Sequence, residues 1–153
     1  MTVRDLRFTS EIHGPAETIF DVVADMPNYG RWLPDTKAFG GTVNVTPYPV
    51  RLGTTYLDAG PVEKPGKVTE FDRPRHIGFH HTVMVRQALL KTDIDARIRY
   101  TLTPKDGGTF VLRELELLLN LPTLYKLASP FILRSFRTEN VRTLACLKQY
   151  VEK

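Results

Sequence analysis

The chain changes its hydrophobic period once. Through most of its length apolar residues recur at every second position, the spacing of a half-buried strand. Over residues 129–153 they recur at alternating intervals of three and four, the spacing of one helix face. Residues 3–13 set the first pattern, with Leu6, Phe8, Ser10 and Ile12 on one face and Arg7, Thr9, Glu11 and His13 on the other. Gly14-Pro15 ends this strand and opens a short helix with a buried stripe of Ile19, Phe20 and Val23. Glu17 lies in its first turn, where the helix dipole favours an anion. Pro27 stops that helix, and a second short helical turn is expected over Asn28–Leu33, holding Trp32.

Strands are then expected over 36–46 (weakened by Gly40-Gly41), 54–58, 67–72, 76–85, 93–103 and 109–118. Loops or turns fall at Thr46–Val50, Arg73–Arg75 and Pro104–Gly108, while Pro61 and Pro65 interrupt the pattern in a way that suits a bulge or an edge. Strand parity puts Tyr56 with Asp58 on one face, Ile77, Phe79, His81 and Val83 on another, and Ile94, Ala96, Ile98, Tyr100 and Leu102 on a third. In 109–118 two faces compete, Val111, Arg113, Leu115 and Leu117 against Phe110, Leu112, Glu114 and Glu116. Burying two glutamates costs more than burying one arginine, whose stem can lie along apolar surface, so Arg113 is placed inward. Glu114 and Glu116 then share the outer face with Arg97 and Arg99 as cross-strand partners.

The closing segment begins with Ser129, a good N-cap, and Pro130, suited to the first helical position. Its stripe is Leu133, Phe136, Asn140, Leu144, Leu147 and Val151, with Arg134, Thr138, Arg142, Gln149 and Glu152 toward solvent. At 1.5 Å per residue this helix spans roughly 33 Å, the width of a small domain. Leu121–Ala128 also looks helical, but its apolar phase is rotated by about half a turn, and a residue before proline is biased away from helix. A break or kink is expected at residue 129. Runs of strands joined by short turns imply an antiparallel sheet. The expectation is one α+β domain over residues 1–153, a curved sheet of about six to seven strands around a long C-terminal helix, with a space between them.

Several motifs stand in the order of one known family: Pro15-x-x-x-Ile19-Phe20, then Asp25 with Trp32, Gly53-Thr-x-Tyr56, Val68 to Arg75, Tyr100-x-Leu-Thr-Pro104 and Gly108-Thr109 before the long helix. Across nearly the whole chain the sequence resembles the START-like (SRPBCC) helix-grip superfamily, and within it the bacterial polyketide cyclase/dehydrase and lipid-transport subgroup. The resemblance implies the fold. It leaves function open among carriers, cyclases, receptors and chaperone activators, since one scaffold hosts them all.

Composition narrows this further. An apolar content of 42% and a charged content of 25% over 153 residues suit a single globular core. The net charge of +4 is modest and consistent with a mixed surface. One cysteine, Cys146, excludes an internal disulfide or a thiolate cluster. The start has no apolar signal core, and no apolar run reaches the roughly 18 residues that span a bilayer, so a cytoplasmic, non-integral protein is expected. Arg134, Arg137, Arg142 and Lys148 lack interleaved stacking aromatics, against nucleic-acid binding. Exposed sheet edges leave room for a homodimer.

The inward polar residues carry the candidate chemistry: Tyr56, Asp58, His81, Tyr100, Arg113 and Asn140. His81 is the candidate general acid/base, because imidazole titrates near neutrality, and Asp58 could orient it or act as base if burial raised its pKa. Arg113 could hold a carboxylate or an enolate. The expected ligand walls are Tyr56, Phe79, His81, Ile98, Tyr100, Val111 and Arg113 from strands and Leu133, Phe136, Asn140 and Leu144 from the helix. No metal or cofactor is implied: His80 and His81 face opposite sides of a strand, and Gly107-Gly108 sits in a hairpin rather than before a helix. Three readings compete. One is a carrier of a hydrophobic small molecule, and the second an aromatase/cyclase or dehydratase using Tyr56, Asp58, His81 and Arg113. The third is an interaction module presenting Val83–Leu90.

Overall fold

A computed structural model describes residues 2–36, 40–60, 62–87, 90–120 and 129–153. Strand β1 (Thr2–Ile12) is followed by helix α1 (Ala16–Ala24) and a short 3-10 helix, Met26–Arg31. Six strands come next: β2 (Thr42–Thr46), β3 (Thr55–Asp58), β4 (Lys64–Asp72), β5 (His76–Gln87), β6 (Leu90–Lys105) and β7 (Gly108–Leu119). Helix α2 (Ser129–Val151) closes the chain. The seven strands form one antiparallel sheet in the order β1-β7-β6-β5-β4-β3-β2. This is the helix-grip arrangement the periodicity predicts.

Several boundaries differ from expectation, among them the strand expected over 36–46, which runs only over Thr42–Thr46. Trp32 caps the 3-10 helix rather than lying inside a helical turn, and Pro27 stands near that helix's start, where a missing N–H is harmless. β4 begins at Lys64, so it includes Pro65. The proline is tolerated because it lies opposite Leu57 of β3, while pairing with β5 starts only at Gly66. The β5–β6 ladder runs out to Gln87 and Leu90, so Val83–Leu90 is mostly strand rather than a connecting patch, and Val83 is buried. The helix expected over Leu121–Ala128, and the kink after it, lie outside the described residues.

The β6–β7 connection is a tight hairpin in which Gly107 has a φ of +80°, a backbone that side chains disfavour. Its register sets Arg97 opposite Glu116 and Arg99 opposite Glu114, as predicted. Arg97 does bond Glu116, at 3.2 Å. Arg99 instead reaches across Gly78 to Glu70 of β4, at 2.8 and 3.1 Å, and Glu114 pairs with Arg7 of β1 at 3.2 Å. Gly78 has no side chain to block the longer reach.

The core is continuous from Leu6, Phe8 and Ile12 of β1 through Ile19, Phe20 and Val23 of α1 to Val111, Leu115 and Leu117 of β7 and Leu144 and Leu147 of α2. The backbone of α2 comes closest to β1 and, after it, to α1. Its C-terminal end is tied to the end of β1. The His13 N–H donates to Glu152 at 2.9 Å, Lys148 donates to the Glu11 carbonyl at 2.5 Å, and Gly14 sits under Val151 where any Cβ would come within 2.7 Å of it. Toward its N-terminus α2 is not flush with the sheet, and a cavity lies between them. Among the described residues no helix is long and apolar enough to cross a membrane.

Candidate functional site

The cavity has a volume of about 390 Å³ and is partly open to solvent. A volume of this size lies within the range of small-molecule pockets, and its walls are mainly apolar. Strand alternation turns Phe79, Val83, Ile94, Ile98 and Leu115 toward it, and Ile132 and Phe136 of α2 face them. Met26, Tyr29, Trp32 and Leu33 close one side. Trp32 is buried edge-on to Tyr29, with ring centroids 5.1 Å apart, and serves both the core and the cavity wall.

All six predicted inward polar residues reach this space: Tyr56, Asp58, His81, Tyr100, Arg113 and Asn140. Predicted wall residues Phe79, Ile98 and Phe136 do as well. Val111, Leu133 and Leu144 do not. Val111 and Leu144 are buried in the solid core, where α2 has already closed on β1 and α1. Leu133 is half-buried against that core. The helix face lining the cavity is instead Ile132, Ser135, Phe136, Glu139, Asn140 and Thr143. At 100° per residue its centre is rotated by about 70° from the apolar stripe. Polar residues on that face hid it, since an apolar count selects the side that packs and not the side that borders a partly wet space. Arg142, expected in solvent, is drawn to the rim. It donates to the Pro34 carbonyl at 2.9 Å and pairs with Glu139 at 3.0 Å. Lys64, missed because Pro61 and Pro65 interrupt the strand pattern around it, also lines the cavity.

His81 is buried, and its Nδ1 faces the Tyr56 hydroxyl at 3.3 Å. Burial above all, then the charges of Lys64 and Arg113, pushes the imidazole down to about 3. It is therefore neutral at neutral pH, and the expectation of titration in the physiological range is not met. Asp58 does not orient it. The Asp58 carboxylate accepts instead from the Thr42 hydroxyl at 2.7 Å, a cross-strand neighbour on β2. Burial raises the Asp58 pKa, with the Thr42 bond, Lys64 and Arg113 acting in the opposite direction. Burial likewise raises the Tyr56 phenol and lowers Lys64. Gly66 makes Tyr56's position achievable, because a Cβ there would collide with the phenol ring.

Arg113 enters the cavity as strand parity and burial cost require. Its Nε donates to Asn140 Oδ1 at 2.6 Å, and Nη1 donates to the Tyr100 hydroxyl. Its guanidinium carbon stands 4.8 Å from the Tyr100 ring centroid, a cation–π contact. Asn140 is fixed in turn by donating to the Phe136 carbonyl at 2.7 Å. No carboxylate among the described residues lies within ion-pair distance of Arg113. His80 is on the other face of β5, with its Nε2 3.3 Å from Asp95. Cys146 is half-buried beside the core.

No family model matches the chain, and no curated protein does. Solved structures match it over nearly its full length. The di-domain ARO/CYC BexL from the BE-7585A biosynthetic pathway aligns with a TM-score of 0.74 at 17% identity, covering 99% of this chain and 50% of BexL. The chain thus spans about half the length of that protein. Ara h 8.0201 aligns with a TM-score of 0.69 at 12% identity, covering 98% of both chains. The Aha1 dimer from Colwellia psychrerythraea gives 0.62 at 16% identity, covering 97% of this chain and 96% of that one. These likenesses show the fold alone, a curved antiparallel sheet gripping a long helix.

Proposed function

We propose that this protein binds a hydrophobic small molecule, lipid or polyketide-like, in the cavity between the sheet and α2. The observation that carries this reading is the cavity itself, about 390 Å³ with apolar walls and a few fixed polar groups. Apolar area drives uptake, and the polar groups set orientation. Tyr56, Phe79, His81, Ile98, Tyr100, Arg113, Phe136 and Asn140 are the proposed contact residues. Extraction of purified protein into organic solvent, followed by mass spectrometry, should recover an apolar ligand. Fluorescent fatty-acid analogues should bind ligand-stripped protein. Failure of both tests would remove the reading.

A second reading, an aromatase/cyclase or dehydratase, is favoured by one observation: Tyr56, Asp58, His81 and Arg113 border the same cavity. BexL, which shares the fold, is described as an ARO/CYC protein. In this reading a neutral His81 and the Tyr56 hydroxyl hold a substrate carbonyl by hydrogen bonds, Arg113 stabilises an enolate, and Asp58, with its raised pKa, is the candidate base. Incubation with a linear poly-β-ketone thioester analogue, followed by mass spectrometry for loss of water, tests it. Binding without turnover leaves the carrier reading alone. Of the patch Val83–Leu90 on which the interaction-module reading rests, Val83 is buried in the cavity wall and Met84 is exposed.

A further inference from the structure

The cavity is bordered by the cations Lys64, Arg113 and Arg142 and by the carboxylates Asp58 and Glu139. Glu139 is engaged by Arg142 at 3.0 Å, and Asp58 is held by Thr42 at 2.7 Å and lies beyond ion-pair distance of Arg113. Arg113 is the deep cation of this set. A guanidinium has five N–H donors, one on Nε and two on each terminal nitrogen. Asn140 takes the Nε hydrogen and Tyr100 takes one on Nη1. Both Nη2 hydrogens and the second Nη1 hydrogen have no acceptor among the described residues.

The partners that Arg113 does have are neutral, and they are rigid. Tyr100 and Asn140 are 2% and 4% exposed, and Asn140 is locked to the Phe136 carbonyl. They fix the plane of the guanidinium without neutralising it. A cation in a largely apolar space is costly unless an anion pairs with it. The free Nη1–Nη2 edge matches the two oxygens of a carboxylate.

We infer that the cavity takes a carboxylic acid, with its carboxylate on the Nη1–Nη2 edge of Arg113 and its apolar body against Phe79, Ile98 and Phe136. This inference rests on the small-molecule reading above and adds the chemical class of the ligand. Fixed geometry of the guanidinium reduces the ordering that binding must impose, which favours the anion further.

Titration calorimetry with dodecanoate, dodecanol and methyl dodecanoate on ligand-stripped protein tests it. Dodecanoate should bind roughly ten- to a hundredfold tighter than the two neutral probes, as expected for a charged hydrogen-bonded pair. Arg113→Met should bring dodecanoate down to the level of dodecanol, a much larger fold-loss than either neutral probe suffers. Arg113→Lys, which keeps the charge but not the fork, should fall between. Equal affinity of the wild-type protein for acid and alcohol would overturn the carboxylate assignment while the cavity reading stands. Equal loss of both probes in Arg113→Met would do the same. No binding of any probe would remove both readings. If Arg113→Met does not fold, the wild-type comparison of acid with alcohol still decides.

Discussion

The two halves of α2 share one helix and one apolar period, yet they do different things. From Leu144 onward the helix closes against β1 and α1. Leu144 and Leu147 are 4% and 0% exposed, and Gly14 lies directly under Val151. From Ile132 to Thr143 it borders the cavity through a face that includes Ser135, Glu139, Asn140 and Thr143. The first half is held through polar side chains, Arg142 to Pro34 and Arg113 to Asn140. The second is held by close packing and by bonds to the end of β1. One end of the grip therefore supplies stability. The other leaves room, and its polar groups are positioned rather than packed.

That contrast breaks first under truncation. Leu147→Ala at the packed end should destabilise the fold by about 2–5 kcal/mol, because a close-packed site cannot collapse onto the void. Phe136→Ala, beside existing space, should cost roughly 1–2 kcal/mol and change ligand affinity instead. Urea unfolding of both variants, with ligand titration of each, checks this. Similar stability losses would mean the two ends do not differ.

Next in size is Gly66→Ala. The added methyl would strike the Tyr56 ring, so the phenol must move into the cavity and leave His81. A loss of about 1–3 kcal/mol is expected together with weaker binding of bulky ligands, read by thermal melts and calorimetry. Unchanged binding would show that Tyr56 does not shape the cavity.

A pH series sharpens the electrostatic side of the contrast. His81 titrates near 3 when folded and near 6.5 when unfolded, so the unfolded chain takes up the proton first. Stability is thus full above pH 6.5 and falls as pH drops from 6.5 toward 3, by about 2 kcal/mol at pH 5. The carboxylates held low by arginines, Asp21 by Arg73 and Glu70 by Arg99, begin to lose their contribution only as pH falls below their ordinary values of 3.8 and 4.5, so they do not contribute to the slope above pH 5. Denaturation midpoints between pH 7.5 and 5 should slope in the wild type and flatten in His81→Gln. An equal slope in both would assign the effect elsewhere.

The smallest effect is expected on the outer face of the sheet. Arg99→Gln removes the bidentate contact to Glu70, but both groups are substantially exposed. The loss should be about 1 kcal/mol or less, reduced further by salt, in chemical denaturation.

The sequence by itself determined most of the elements, the antiparallel character of the sheet, the long closing helix and the inward turn of Arg113. Each follows from period, parity and the relative cost of burying charges, which are local quantities. It also named the six polar residues that meet in the cavity, five by strand alternation and Asn140 by the helical period, since each assigns a face without knowing the neighbours. Only the tertiary structure decided where the helix stops packing and starts bordering space. Leu144 and Val111 carry the same apolar signal as Phe136 and Ile98, and nothing in their spacing separates core from cavity wall. Ser135, Glu139, Thr143 and Lys64 carry a polar signal that reads as surface. The partnerships were equally out of reach: Asp58 went to Thr42, His81 to Tyr56, and Arg99 past Gly78 to Glu70. Which of several reachable groups a side chain bonds depends on distances set by the whole sheet, and the low pKa of His81 depends on burial that no single strand provides.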